Sequence, residues 1–184
     1  SHTRYSGHMS AQRILLVIGG GIAAYKSLEL IRELGRRGIG ARVILTKAGT
    51  EFVTPLSVAA LSGEKVYTEL FSLTDETEMG HIELSRSADL LVVCPATADR
   101  MAKAVHGHAN DLASTALLAT DKPVLMVPAM NGRMWQHAAT QRNIAQLRAD
   151  SVTVMEPDVG PMACGEFGPG RLPDVPRIVA QIEA

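Results

Sequence analysis

The chain has 184 residues, of which 46% are hydrophobic and 20% are charged. This length suits about one domain, and the apolar content suits a packed core rather than a disordered chain. The formal charge of −1 excludes a basic surface for nucleic acid or anionic lipid as the default interpretation. No apolar run has the length of a membrane span and no secretory signal is apparent, so we expect a cytoplasmic protein with no membrane partner.

The first residues, 1–8, are polar and aperiodic and precede Met9. We therefore expect a remnant of an expression tag, followed by one domain over 9–184. The two cysteines, Cys94 and Cys164, are far apart and lie in no CxxC or Cys/His spacing. This predicts neither a disulfide framework nor a metal site.

Short apolar runs alternate with helical patterns along the chain. Strands are predicted over 14–18, 41–45, 90–94, 123–127 and 152–155. Helices are predicted after the first strand, over 111–120, and after an Asp174 cap near the chain end. Because the strands are continuous apolar runs, each followed by a helix, the sequence predicts a single doubly wound α/β domain with a Rossmann-like (flavodoxin-like) parallel sheet.

The segment 62–80 shows no clear element. Connections of this length in a compact domain are usually functional or mobile, so we expect a candidate lid here, with a helix beginning at His81. In doubly wound folds the ligand site lies beyond the carboxyl ends of the strands. The segments to examine are therefore 19–22, 46–52, 95–100, 128–135 and 156–171.

The run 19–24, Gly-Gly-Gly-Ile-Ala-Ala, fits the GxGxxG/A pattern at a strand-to-helix turn. A dinucleotide site also requires an acid at the end of the second strand, but Thr46 and Lys47 stand there. This disfavours NAD and favours a mononucleotide such as FMN, whose phosphate a Thr hydroxyl and backbone amides could hold. A tight turn that only packs the helix is the structural alternative.

The histidines differ in what surrounds them. His81 follows the candidate lid, and its imidazole suits proton transfer near neutral pH, although capping, surface and core roles are the alternatives. His106, His108 and His137 have no further ligands nearby, so we expect surface or interface residues. Cys94, at the end of an apolar strand, is expected to pack in the core.

Five motifs occur together in the order and spacing of a known family. They are Gly-Gly-Ile-Ala-Ala-Tyr-Lys at 20–26, His-Ile-Glu-Leu at 81–84, Pro-Ala-Thr-Ala at 95–98, Pro-Ala-Met-Asn at 128–131 and Ala-Cys-Gly-Glu-Phe-Gly-Pro-Gly-Arg at 163–171. Together they resemble the homo-oligomeric flavin-containing cysteine decarboxylases over essentially 9–184.

The resemblance implies FMN-dependent decarboxylation of 4'-phosphopantothenoyl-cysteine to 4'-phosphopantetheine in coenzyme A biosynthesis. It also implies a homo-oligomer built from trimers, with a dodecamer as one such assembly, and a ligase domain fused after Ala184. Direct loss of CO2 from an acylated cysteine leaves a carbanion with no electron sink, whereas prior oxidation of the thiol to a thioaldehyde supplies one. The resulting enethiol is then reduced by the dihydroflavin, so that the flavin is recycled.

Residue roles also come from the resemblance. His81 matches the base for oxidation of the substrate, and Cys164 lies in a segment expected to close over the substrate and to donate a proton to the enethiol. Asn131 matches the residue that holds the substrate carboxylate, with helix capping as its structural alternative. The further expected substrate contacts are Met134, Ala163, Gly165 and Arg171. The expected FMN contacts are Gly20, Gly21, Ile22, Thr46, Lys47, Ala48, Thr97, Ala98, Asp99, Arg100 and Ala129.

Two neighbouring positions depart from the family pattern. Asp99 and Arg100 stand where the family usually has Asn, often followed by Thr. A carboxylate repels a phosphate, so the contact of Asp99 with FMN is in doubt, and we expect Arg100 to compensate. Leu172 stands where Met is commoner, which is a tolerated apolar exchange.

Three other functions share this fold and flavin. A peptidyl-cysteine decarboxylase releases its enethiol unreduced, so the proton donor Cys164 disfavours it. A flavin prenyltransferase gives no reason for the Pro-Ala-Met-Asn motif or for Cys164. A non-catalytic FMN-binding regulatory subunit would not need His81, Asn131 and Cys164 together.

Overall fold

The computed structural model describes residues 12–68, 75–161 and 167–184, with the backbone alone at 75–79, 81, 161 and 167. The expected tag at 1–8 and the residues around Cys164 lie outside these ranges. No helix of the described part is long and apolar enough to cross a membrane.

The described strands form one parallel sheet and one hairpin. The sheet has the order β3-β2-β1-β4-β5-β6, and every neighbouring pair is parallel. Its strands are β1 Arg13–Ile18, β2 Gly40–Leu45, β3 Val66–Thr68, β4 Leu90–Ala96, β5 Val124–Pro128 and β6 Thr153–Val154. This is the strand order of Rossmann-type doubly wound folds, so the predicted fold class is confirmed.

Helices cover both faces of the sheet. They are α1 Tyr25–Arg36, α2 Pro55–Ser62, α3 Asp75–Arg86, α4 Ala98–Val105, α5 Leu112–Ala119, α6 Gly132–Gln136, α7 Ala138–Ala149 and α8 Val175–Glu183. Leu16 of β1 packs in a core with α1 and α8, whereas its neighbours Leu15 and Val17 pack in a second core with α4, α5 and α7. Burial on both faces explains why the strands have continuous apolar runs.

The prediction that 62–80 lacks regular structure is wrong at both ends. The strand β3 pairs with β2, and α3 begins at Asp75. His81 is therefore the seventh residue of α3 rather than its first. A three-residue edge strand is too short to show an alternating pattern, and the first turn of α3 is mostly charged or polar, so no apolar period marks its start. The rest of the expected lid, 69–74, lies outside the described residues.

The Gly- and Pro-rich segment near the chain end contains an antiparallel hairpin, β7 Asp158–Pro161 and β8 Phe167–Arg171. The sequence showed its composition but not its pairing. Asp174 stands at the N-cap of α8 as predicted, although its side chain makes no capping hydrogen bond. Ile178 and Val179 of α8 are buried in the core.

Candidate functional site

A cavity of about 470 Å³ opens at the carboxyl ends of β1, β4 and β5. Its lining is Gly20, Gly21, Ile22, Ala23, Tyr25, Lys26, Pro95, Ala129, Met130, Asn131, Gly170, Arg171 and Leu172. From β1 the chain adds strands β2 and β3 on one side, and it adds β4, β5 and β6 on the other side. Doubly wound folds bind ligands at such a switch point, here between β1 and β4. The volume is also in the range of small-molecule sites.

The glycine-rich turn after β1 forms one wall of the cavity. A Cβ added to Gly20 would lie 2.8 Å from the Cβ of Ala48, so the turn is pressed against the segment that follows β2. Gly21 has a φ of 120°, which side chains rarely allow. The turn leads through a short 3-10 helix, Ile22–Ala24, into α1. The amino-terminal end of a helix favours anions, because its first N–H groups have no partner within the helix.

Two cations, carried by different elements, line the cavity. Lys26 comes from the first turn of α1, and Arg171 comes from β8. Within the described residues, neither takes part in a salt bridge, and no carboxylate is among the lining side chains. The cavity is therefore suited to a phosphate or a carboxylate.

Asn131 combines the two roles considered for it. Its Oδ1 accepts a 2.8 Å hydrogen bond from the backbone N–H of Met134 and so caps α6. Its side chain also lines the cavity. Because capping uses the carbonyl oxygen, the amide nitrogen keeps its two donors for a ligand anion. Met134 is 46% exposed and is absent from the lining.

The hairpin joins the cavity through a close backbone contact. The N–H of Met130 donates a 2.9 Å hydrogen bond to the carbonyl of Gly170. A Cβ on Gly170 would lie 2.3 Å from the carbonyl oxygen of Met130, and the φ of Gly170 is 115°. Only glycine fits here, and the contact places Arg171 in the cavity wall.

The structure places the expected phosphate contacts at 97–100 outside the cavity lining. Thr97 caps α4 by accepting from the N–H of Arg100 at 3.1 Å. Asp99 is exposed and pairs with Lys103 at 3.3 Å. The contact of Thr97, Ala98 and Asp99 with FMN therefore remains a prediction.

Arg100 is paired with side chains inside the protein. Its guanidinium is buried and donates to Asp111 at 3.1 Å and to Ser114 at 2.8 Å. Burial raises the pKa of Asp111, but the bonds from Arg100 and Ser114 lower it by more, so that this pKa lies below its ordinary value. The described contacts thus give Arg100 a structural role in joining α4 to α5, and they do not support the expected compensation for Asp99.

The segment after β2 packs behind the glycine-rich turn. The hydroxyl of Thr46 accepts a 3.0 Å hydrogen bond from the N–H of Gly49, and Thr46 is 1% exposed. Lys47 and Ala48 are exposed, but neither they nor Thr46 are among the lining residues. Their contact with FMN also remains a prediction.

Several predicted groups are placed only in part or not at all. The backbone of His81 lies in α3, and its side chain is outside the described part, as are Ala163, Cys164 and Gly165. In the described ranges, no cluster of three His, Cys, Asp or Glu side chains could hold a metal.

Cys94 and the other described histidines lie outside the cavity lining. Cys94 is fully buried, and burial raises the pKa of its thiol to about 12, as expected for a core residue. His106 and His108 are exposed, as predicted. His137 caps α7 by accepting from the N–H of Ala139 at 3.0 Å.

Some lining residues were missed by sequence reasoning. Tyr25 and Lys26 belong to the motif at 20–26 but are not among the predicted site residues, yet both line the cavity. Their signal was their position one turn after the glycines. Met130 and Gly170 lie inside motifs that had been singled out, next to the predicted residues Ala129, Asn131 and Arg171.

The chain is similar in sequence to proteins of coenzyme A biosynthesis. The chain is 46% identical over 175 residues to the coenzyme A biosynthesis bifunctional protein CoaBC of Vibrio vulnificus. The matched region covers 95% of this chain and 44% of that protein. The chain thus spans less than half the length of the curated relatives it matches.

Solved structures agree in fold. A mutant PPC decarboxylase complexed with pantothenoylaminoethenethiol superimposes with a TM-score of 0.80 and 29% identity, over 94% of this chain and 97% of that one. The FMN-dependent cysteine decarboxylase SpaF gives 0.79 and 29%, over 96% and 99%. The flavoprotein family matches residues 2–184, and this chain therefore belongs to the flavoprotein family.

Proposed function

We propose that this chain binds FMN and decarboxylates 4'-phosphopantothenoyl-cysteine to 4'-phosphopantetheine in the coenzyme A pathway of the cytoplasm. The observation that carries the proposal is the cavity at the switch point, which brings a glycine-rich turn, the Asn131 amide and two cations together. The bifunctional relatives support the pathway. The solved decarboxylases support the chemistry.

The lining residues fit FMN better than a dinucleotide. An added Cβ at Gly21 would meet nothing within 4 Å, so the turn leaves room there for a phosphate near the amino-terminal end of α1. Lys26 and Arg171 offer charge for that phosphate or for the substrate. No acid for ribose hydroxyls stands at the end of β2, where the chain has Thr46 and Lys47. Acid release followed by chromatography should therefore yield FMN, and released FAD or NAD would contradict this assignment.

When bound, FMN would supply a two-electron oxidant for the substrate thiol and return the same electrons after CO2 has left. Asn131 would hold the substrate carboxylate through its free amide hydrogens. An uncharged donor suits this role, because a fixed cation would over-stabilise the ionised acid before CO2 is lost. His81 would take the proton released in the oxidation. Cys164 would give a proton to the enethiol carbon.

The experiment compares two substrates on the purified, FMN-loaded protein. CO2 release from phosphopantothenoylcysteine, with saturated phosphopantetheine as product, is the expected result. The second substrate to test is a peptide ending in cysteine, because a peptidyl-cysteine decarboxylase is the alternative that shares this fold and flavin. Turnover of the peptide alone, with an enethiol product, would replace the proposal with a peptidyl-cysteine decarboxylase. Binding of FMN without turnover of either substrate would indicate a regulatory subunit.

We also propose that the protein is a homo-oligomer built from trimers, with a dodecamer as one such assembly. Large apolar side chains are exposed next to the cavity, where Ile22 is 62% and Tyr25 is 52% exposed, and on α2, where Leu56 is 80% exposed. The apolar helix α5 buries Leu112, Ala113 and Ala116 within its own chain, and among its side chains only Leu118 is exposed. Light scattering that shows only a species near the chain mass of 19.6 kDa would contradict the proposal.

The relatives are more than twice as long as this chain, which supports a ligase domain after Ala184 in the natural protein. The complete reading frame tests this directly. A stop codon immediately after position 184 would contradict it.

A further inference from the structure

The base of the hairpin contains two opposite charges that face each other but do not pair. Asp158 of β7 lies opposite Arg171 of β8 in the antiparallel register. Opposite charges in such positions attract each other. The carboxylate of Asp158 is instead held by Arg177 of α8, in both a hydrogen bond and an ion pair. Arg177 also donates to the carbonyl of Glu156 at 2.9 Å.

The guanidinium of Arg171 packs over Gly160 of the neighbouring strand β7. A Cβ on Gly160 would lie 3.0 Å from Nη1 of Arg171, so the missing side chain leaves space for the arginine to lie across the hairpin. Arg171 lines the cavity and has no salt bridge with any described residue. Its charge is therefore available to a ligand.

Glu156, the acid just before β7, is also paired with an arginine of a helix. Glu156 pairs with Arg148 of α7 at 2.9 Å, and Arg148 further donates to the carbonyl of Val154 at 2.8 Å. Both carboxylates that precede or begin β7 are thus bound by arginines outside the hairpin. Among the residues that the structure describes, no acid contacts Arg171, the cation of β8.

We propose that Arg177 is a positioning residue of this site. By holding the carboxylate of Asp158, it keeps that carboxylate away from Arg171 and leaves Arg171 free for an anionic group of the substrate. Arg177 does not line the cavity and acts through Asp158. The inference rests on the proposed function, because it takes the substrate of that reaction as the anion.

The test uses four variants of the FMN-loaded protein: two single substitutions, their combination and a conservative exchange. Arg177→Met frees Asp158 to pair with Arg171, so KM for phosphopantothenoylcysteine should rise roughly two- to fivefold, the range of one exposed ion pair, with kcat nearly unchanged. Asp158→Asn alone should leave KM at the parent value or below it. The double variant should return KM to the parent value, because the competing carboxylate is gone. Arg177→Lys should behave as the parent.

A merely structural role predicts a different pattern. If the ion pair only anchors the hairpin, Asp158→Asn should raise KM as Arg177→Met does, and the double variant should stay impaired. Either result overturns the proposal. The matched control is Arg37→Met. Arg37 pairs at 3.0 Å with Glu183, which lies in α8 as Arg177 does. The exposed fraction of the Arg37 side chain is 46%, against 44% for Arg177. Its KM should not change.

A second readout needs no turnover. In a crystal structure of Arg177→Met, the carboxylate of Asp158 should lie within hydrogen-bonding distance of the Arg171 guanidinium. A carboxylate that stays away from Arg171 overturns the inference whatever the protein catalyses. If the two side chains pair but the protein decarboxylates nothing, the positioning contact holds and only the proposed function fails.

Discussion

The backbone N–H of Met130 lies 2.9 Å from the carbonyl oxygen of Gly170, and this hydrogen bond joins the loop after β5 to strand β8. Both residues line the cavity. The contact therefore fixes one wall of the cavity relative to another, and the placement of Arg171 and Asn131 on those walls depends on it.

Gly170→Ala should separate these walls. The added Cβ would lie 2.3 Å from the carbonyl oxygen of Met130, in a backbone conformation with a φ of 115°. We expect decarboxylation to be lost and the hairpin to be destabilised by about 1–3 kcal/mol, measured by turnover and by amide exchange at Met130. The control is Gly35→Ala in α1, where an added Cβ meets nothing within 4 Å. It should stabilise the protein by about 0.5–1 kcal/mol. Normal turnover in Gly170→Ala would contradict this account of the cavity wall.

Gly20→Ala should weaken FMN binding. The new Cβ would lie 2.8 Å from the Cβ of Ala48, so the turn or its neighbour must shift. Overpacking of this kind costs about 1–3 kcal/mol, which corresponds to a loss of FMN affinity of roughly five- to 150-fold if the turn moves. Quenching of flavin fluorescence measures the affinity.

The compensating change is Ala48→Gly in the same chain. It removes the clashing Cβ and leaves contacts of 3.4 Å to the backbone of residue 48, which are ordinary. The double variant should therefore recover most of the lost affinity. No recovery would mean that the clash with Ala48 is not the reason for glycine at position 20.

The sequence predicted the strands and the fold class well because the strands are buried on both faces and therefore apolar throughout. It also placed the glycine-rich turn and the Pro-Ala-Met-Asn loop at the ligand edge, since the carboxyl ends of parallel strands meet there. The hairpin β7–β8 could not be predicted in the same way. Its Gly- and Pro-rich strands have no apolar alternation, and the Met130–Gly170 contact joins residues 40 positions apart.

The partners of Arg100 and the start of the helix that carries His81 have physical causes that the sequence does not show. Arg100 was expected to face a phosphate, but its partners Asp111 and Ser114 lie on the next helix. A single sequence does not show which of two anions an arginine selects. The start of α3 was missed because its first turn carries charged side chains in place of an apolar period.

Asp111→Asn should destabilise the protein at neutral pH by about 1–3 kcal/mol, the range for a hydrogen bond to a charged group. The folded-state pKa of Asp111 lies below its ordinary value of 3.8. The stabilisation is therefore present above this ordinary value and is lost as the pH falls through the folded-state value. Urea unfolding across pH 3 to 7 should show the two proteins converging at the acid end.

Asp99→Asn is the control for this measurement. Asp99 also pairs with a cation, Lys103, but its side chain is 75% exposed. Exposed pairs contribute little, so the stability should change by less than about 1 kcal/mol. A constant difference between parent and Asp111→Asn at every pH would mean that the charge of Asp111 is not what stabilises the α4–α5 contact.

Cys164→Ser should separate the two halves of the proposed reaction. A serine hydroxyl is a much weaker acid than a thiol, so proton delivery to the enethiol should fail while CO2 release continues. Single-turnover mixing should then show CO2, an accumulated enethiol and a flavin that stays reduced. Normal saturated product at nearly the parent rate would remove Cys164 from the mechanism.

The most direct measurement of the central claim is the fate of carboxyl-labelled phosphopantothenoylcysteine on the FMN-loaded protein. We predict one labelled CO2 released for each saturated phosphopantetheine formed, with the flavin absorbance returning to its oxidised spectrum after turnover. His81→Asn should release no labelled CO2, because the proposed base is missing. Retention of the label by the parent protein, or its release with the enethiol as final product, would contradict the account.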